Sequence, residues 1–186
     1  MKNLIRKILN EVRLDPTKLN SEMGLFIDPY GNSFTLYNPI EDKVYAYISI
    51  NEIESGNYSV GGVAAEYGYG PLIYELVMSY IYPHALLPSR DGDIRGGAIN
   101  IWERFLKDPY IKKERLTKKD PDLSWEVYED MGNDSDVKFI QTRYYYNGLN
   151  NLLNQLLIKG KNYINDGINL DDVSSMGDGY WLSRYE

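Results

Sequence analysis

The sequence predicts an α/β (α+β) fold: a mixed, largely antiparallel sheet flanked by helices. Three observations predict it. Residues 24–50 hold short apolar stretches separated by tight turns rich in Pro, Gly, Asn and Asp, the pattern of an antiparallel meander. Residues 58–106 then alternate strand-like and helix-like segments. Leu149, Leu152, Leu153, Leu156 and Leu157 repeat at helical spacing.

The first element is a helix over residues 2–13. Leu4, Ile5, Ile8, Leu9 and Val12 make one apolar stripe, with Lys2, Arg6, Lys7 and Arg13 on other faces. Asp15-Pro16 stops it, because a residue before proline avoids the helical region. Two roles are open for this helix: docking on the body, or a basic address peptide for a protein partner. Gly24–Asp28 and Ser33–Tyr37 are the next strands, joined by Asp28-Pro29-Tyr30-Gly31-Asn32. Val44–Ile50 is the clearest strand, and its alternation places Val44, Ala46, Ile48 and Ile50 on one face. Tyr58–Glu66 follows, with Gly61-Gly62 marking a bulge or a close approach.

Pro71 sits where a helix begins, a position that tolerates its missing N–H. That helix runs to about Tyr82, and Pro83 ends it. Ala85-Leu86-Leu87 is a short buried strand, and Gly96–Leu106 is a second helix carrying Ile101, Trp102 and Phe105. Residues 107–136 read as charged connection, apart from a strand at Trp125–Tyr128. Val137–Tyr146 is another strand. The leucine helix that follows takes Asn147 as N-cap and ends at Gly160. Tyr163–Glu186, with five acids against one arginine, reads as an acidic tail that is loose or lies on the basic residues 112–119. The organisation is therefore an N-terminal helix (1–20), a central domain (21–146), and a helix with tail (147–186).

Composition excludes several chemistries. Cysteine is absent and His84 is the one histidine, so disulfides, thiolate sites, cysteine nucleophiles and multi-histidine metal sites are excluded. No metal site is expected; Asp171, Asp172 and Asp178 lack the spacing of a calcium loop. A net charge of −7 argues against a nucleic-acid partner, since phosphate neutralisation needs clustered cations. No apolar run has the length of a membrane span, and the charged start lacks a signal-peptide core. A cytoplasmic protein is expected. The 18 tyrosines against 4 phenylalanines fit a Tyr-rich sheet or a Tyr-paved binding face. Arg90-Asp91 and Asp93-Arg95 read as surface pairs, and His84 as structural.

The chemistry-bearing pattern is Ala65-Glu66-Tyr67-Gly68-Tyr69-Gly70 between a strand and a helix. The first N–H groups of a helix lack intrahelical partners, and its dipole favours an anion there. Glycines at 68 and 70 let backbone approach a phosphate closely. Glu66, at the strand end, is a candidate general base.

This arrangement resembles the GNAT-fold N-acetyltransferases. In that family the fourth strand leads into a Gln/Arg-x-x-Gly-x-Gly/Ala loop whose amides hold the pyrophosphate of acetyl-CoA. Gly68 and Gly70 match; Ala65 replaces the usual Gln or Arg, and Pro71 removes one N–H. The later helix, Ala98-Ile99-Asn100-Ile101-Trp102-Glu103-Arg104-Phe105, puts Trp102 where the family carries the Tyr that protonates the leaving thiolate. Indole N–H does not ionise usefully, so Trp102 cannot repeat that role. GYGPLIYELVMS, LLPSRDG and AINIWERF are also similar to a phage-encoded GNAT-like branch.

The resemblance implies an acetyl-CoA-dependent N-acyltransferase acting on an amine. Val63 and Ala64 would line the pantetheine arm. Ala65, Glu66, Tyr67, Gly68, Tyr69 and Gly70 would hold the pyrophosphate, with Asn100 as a further cofactor contact. The alternative is a non-catalytic GNAT-like interaction or virion-associated structural protein, in the host cytoplasm or the virion.

Overall fold

Among the described residues, seven strands form one sheet in the order β1-β2-β3-β4-β5-β7-β6. The computed structural model describes residues 19–90, 94, 97–122, 138–146 and 151–183. The expected N-terminal helix, the Trp125–Tyr128 strand and the Asn147 cap lie outside these residues. In chain order the elements are β1 (Gly24–Ile27), β2 (Ser33–Asn38), β3 (Lys43–Glu52), β4 (Tyr58–Ala65), α1 (Gly70–Ile81), β5 (Leu86–Leu87), α2 (Gly97–Lys107), β6 (Ile111–Arg115), β7 (Thr142–Tyr146), α3 (Asn151–Asn165) and α4 (Leu170–Ser183). Every neighbouring pair is antiparallel except β4 and β5, which are parallel.

Local chemistry fixes the meander. The Asp28 carboxylate accepts the N–H groups of Asn32 and Ser33 at 2.8 and 3.0 Å, and Gly31 supplies φ +72°. Two bulges set the faces of the strands. Opposite Leu36 and Tyr37, β3 carries Tyr45 as an extra residue, with Leu36 facing Ala46 and Tyr37 facing Val44. One extra residue flips all that lies beyond it. Val44 therefore leaves the face of Ala46, Ile48 and Ile50 and joins Phe26, Tyr37 and Val173. The uniform alternation expected for Val44–Ile50 fails at this point. The second bulge is at Gly61, as the glycine pair predicted, because Ile50 faces Val60 while Ser49 faces Gly62.

One face of the sheet carries the main core. Leu25, Phe34, Leu36, Ile48 and Val60 meet α1 through Ile73, Leu76 and Val77, and α3 through Leu153 and Leu156. Trp102 and Phe105 of α2 complete this core beside Tyr74 and Tyr144. Helix α4 covers the opposite face at β1–β3: Val173 packs with Phe26, Tyr37 and Val44, and Gly177 lies against Tyr47 and Thr35. Residues 170–183 are thus a folded helix on the sheet, neither a loose tail nor a strap on residues 112–119. The Asn169 side chain accepts the Asp171 N–H at 3.1 Å, and Asp171 and Asp172 occupy the positive first turn of the helix.

Helix α3 runs through Gly160 rather than ending there. The glycine serves a close approach: a Cβ at 160 would stand 2.3 Å from the Leu25 carbonyl oxygen. The helix backbone thereby covers the outer edge of β1, which would otherwise offer unpaired polar groups. The other sheet edge is β6, a strand absent from the expectation of a charged connection. Lys112 and Arg115 stand on this edge, and charged edge strands resist pairing with another chain. Lys113 turns back to donate to the carbonyls of Leu106 and Asp108, at the C-terminus of α2.

Behind β5 a polar network ties the β6–β7 connection to the sheet. Arg143 bonds Asp122 at 2.7 Å and Asp120 at 2.9 Å, and Asn57 donates to Asp122 at 3.1 Å. Arg90, expected in a surface pair, turns inward and donates to the Ile140 carbonyl at 3.0 Å; Asp91 lies outside the described residues. The Thr117 N–H and hydroxyl, then Arg143, hold the Asp120 carboxyl below its ordinary value. A lowered carboxyl stabilises the fold above its unfolded pKa, and that contribution fades as pH falls. Melting temperature should therefore drop more steeply for wild type than for Asp120→Asn as pH is taken from about 6 to about 3. Parallel curves for the two proteins would refute the assignment.

Candidate functional site

The parallel strands β4 and β5 meet at Tyr58–Leu86 and Ser59–Leu87 and then part. Among the described residues no strand pairs with residues 60–65 of β4 on the β5 side. The Glu66 N–H donates to the Tyr45 carbonyl on β3 at 2.9 Å. Strand alternation then turns the N–H group of Val63 toward the side that β5 has left. The Val63 and Ala64 side chains lie on opposite faces, so the two residues share only backbone along this edge. A crevice beyond the carboxyl ends of parallel strands is where open sheets that carry helices bind ligands.

The turn from β4 to α1 follows directly on this strand end. The Tyr69 N–H donates to the Glu66 carbonyl at 3.0 Å, and Gly68 sits at φ +86°, a backbone that glycine adopts without strain. Helix α1 starts with no side-chain cap and with Pro71 in its first turn. Its ladder begins with the Ile73 N–H donating to the Tyr69 carbonyl. Gly70 and Leu72 are left as the first-turn donors outside that ladder, since Pro71 has none. Helix starts favour Ser, Thr, Asp or Asn as caps, and no side-chain cap bond is made at this one. Gly70 has a second duty: a Cβ there would stand 2.9 Å from Ile101 of α2.

The surroundings of the turn are acidic. The Tyr45 and Tyr69 rings are 4.9 Å apart, and the Tyr45 hydroxyl donates to Glu41. That bond, with burial and the charges of Glu41 and Glu66, pushes the Tyr45 phenol up to about 12. Burial, then Glu41 and Glu66, raises the Tyr69 phenol as well. Lys43 lies near, its Nζ 4.8 Å from the Tyr45 ring centre. Glu41 gave no functional signal in the sequence, because its approach to Glu66 depends on the β2–β3 turn reaching the β4–α1 turn.

The other candidates separate from this crevice. Trp102 is 1% exposed, within a cluster of Tyr74, Phe105 and Tyr144 rings 4.8–5.8 Å away. It is a packing residue, and its ring is enclosed rather than presented to a ligand. Asn100 lies on the outer face of α2, in an open depression with Glu103, Arg104, Lys107 and Asp108. His84 is exposed and stands edge-on to Tyr58 at 5.9 Å. Among the described residues no helix is long and apolar enough to cross a membrane. No family model, curated protein or solved structure matches the chain.

Proposed function

We propose that this chain is a GNAT-like protein whose β4–β5 crevice takes acetyl-CoA and passes the acyl group to an amine. The observation that carries the reading is the parting of β4 from β5 directly below an uncapped helix N-terminus. An extended pantetheine arm would run along the backbone edge of β4 at Val63 and Ala64, and the pyrophosphate would meet the first-turn N–H groups of α1. Glu66, at the end of β4, would take the proton of the amine, and water or another group would protonate the thiolate. Positioning alone supplies much of the rate of such a transfer. The acidic rim of Glu41 and Glu66 and the enclosed Trp102 favour a second reading, a non-catalytic GNAT-like interaction or virion-associated part.

Calorimetry with acetyl-CoA tests the first. The expected Kd is on the order of micromolar, about −8 kcal/mol. Replacing either glycine would confuse binding with folding, given the φ of Gly68 and the contact of Gly70 with Ile101. Tyr67 is the better position, because it is 99% exposed at the tip of the turn. Tyr67→Glu should weaken binding about tenfold by adding charge beside the anion donors, with melting unchanged. No heat with wild type at millimolar acetyl-CoA would reject the reading.

A further inference from the structure

We propose that β6 pairs with β6 of a second copy of this chain, antiparallel about a two-fold axis at Lys113, so that one sheet runs through both. Strand β6 bonds β7 on one side, and among the described residues no strand pairs with its other side. The register with β7 fixes which backbone groups face outward. The Leu116 N–H donates to the Gln141 carbonyl at 2.8 Å, continuing the pairing of Arg115 with Thr142. Directly opposite residues of an antiparallel pair exchange both bonds or neither, in alternation. Leu116, Glu114 and Lys112 therefore turn their backbone groups to β7, and Arg115, Lys113 and Ile111 turn theirs to the open edge.

Charge on an edge strand keeps out a partner that cannot match it. Strand β6 matches itself. Centred on Lys113, the pairing sets Ile111 against Arg115 in bonded positions and Lys112 against Glu114 in the closer, non-bonded ones, each twice by symmetry. Lys112 and Glu114 are exposed and share a face with Tyr145. The Lys112 Nζ is 4.8 Å from that ring centre, and the Tyr145 hydroxyl donates to Glu114 at 2.9 Å. The Glu114 side chain, 3.6 Å from Arg143, is still 52% exposed, so its carboxylate has room for a second cation. The same pairing brings Lys113 opposite its own copy on the axis. That lysine is drawn back, its Nζ donating to the Leu106 carbonyl at 3.0 Å and to the Asp108 carbonyl. Moving the axis by one residue would set Lys112 against Lys112 or Glu114 against Glu114. A parallel, in-register pairing would oppose like charges throughout. The charge pattern thus selects one partner and one register. This inference does not rest on the acetyl-CoA reading.

Sedimentation equilibrium on the full chain tests it. A five-residue edge makes a small interface, so wild type should dimerise with a Kd on the order of tens of micromolar. Lys112→Glu and Glu114→Lys should each weaken self-association by about tenfold or more, because each turns two attractive cross-strand pairs into repulsive ones. Mixed in equal amounts, the two variants should form a heterodimer at least as tight as the wild-type dimer, since every 112–114 pair is again opposite in charge. Arg115→Pro removes an N–H that faces the open edge and leaves the β7 bonds in place, so it should be monomeric with unchanged circular dichroism. A wild type that stays a single chain at about 0.5 mM overturns the proposal. A dimer that ignores all three substitutions overturns it too, because the contact is then on another face. Failure of the mixed variants to associate rejects the register and the proposal with it.

Discussion

Gly160→Ala should destabilise the protein by about 3 kcal/mol or more, against the usual sign for such a change in a helix. Within a helix interior alanine is ordinarily favoured over glycine by about 1 kcal/mol. At 160 the new Cβ would stand 2.3 Å from the Leu25 carbonyl oxygen and 3.0 Å from its carbon, both backbone atoms of β1. Backbone in a paired strand cannot swing aside, so α3 must lift from the sheet edge. Overpacking of this kind costs about 1–3 kcal/mol or more. Lifting α3 also withdraws Leu153 and Leu156 from the core. Two other glycines calibrate the measurement. At Gly177 the new Cβ would meet the Tyr47 ring at 2.5 Å, a side chain with some freedom, so Gly177→Ala should destabilise less. At Gly179 nothing lies within 4 Å, so Gly179→Ala should be neutral or stabilising by up to about 1 kcal/mol. Urea unfolding of the three variants checks the order. A Gly160→Ala variant as stable as wild type would mean that α3 does not sit on β1 in this way.

The same glycine shows where sequence reading runs out. A glycine in a helical pattern signals a stop when only local propensity is weighed, and Gly160 follows a run of leucines as a stop would. Its actual role depends on Gly24, more than a hundred residues away, which no local pattern contains. Helix α4 was hidden for a related reason. Among its residues of described burial, Val173 and Gly177 are the buried ones, too sparse to raise a periodic apolar signal, and its acids suggested a tail. The readable signal was at its start, where Asn169 precedes Asp171 and Asp172. Strand β6 was obscured by Lys112, Lys113 and Arg115, the charges that suit an edge strand. The meander, the Gly61 bulge, helix α1 at Pro71 and helix α2 were legible because each rests on local turn chemistry or on a dense apolar period.

The candidate site was legible in part. The strand, the turn and the helix N-terminus follow from residues 58–72, since Gly68 and Pro71 act locally. The departure of β5 from β4 was not legible, because it depends on where two-residue pairing stops. The acidic rim needed the distant turn at Glu41, and the inward Arg90 needed the Ile140 carbonyl across fifty residues of chain. Residue identities told what each group can do; only the sheet order told which groups meet.

Trp102→Ala should cost about 3–5 kcal/mol, the range for deleting a large buried aromatic side chain. Three rings surround the indole: Tyr74 at 5.0 Å, Phe105 at 5.8 Å and Tyr144 at 4.8 Å. Its loss would leave a cavity between α1, α2 and β7, the three elements that hold the sheet's β5 side to the core. Trp102→Tyr is the more telling variant. If the ring faced a bound thioester, a phenol there would supply the acid the indole lacks, and thiol release from acetyl-CoA would rise by up to about 10²–10⁴-fold. Because the ring is enclosed, the phenol would instead be buried, where a hydroxyl without a partner is costly. Trp102→Tyr should therefore lower stability by about 1–3 kcal/mol and leave thiol release, where any is measured, at the wild-type rate. Urea unfolding and a thiol-release assay over a panel of amines read the two effects separately. A rise in thiol release in the Tyr variant, with stability unchanged, would place position 102 at the crevice and overturn its assignment to the core.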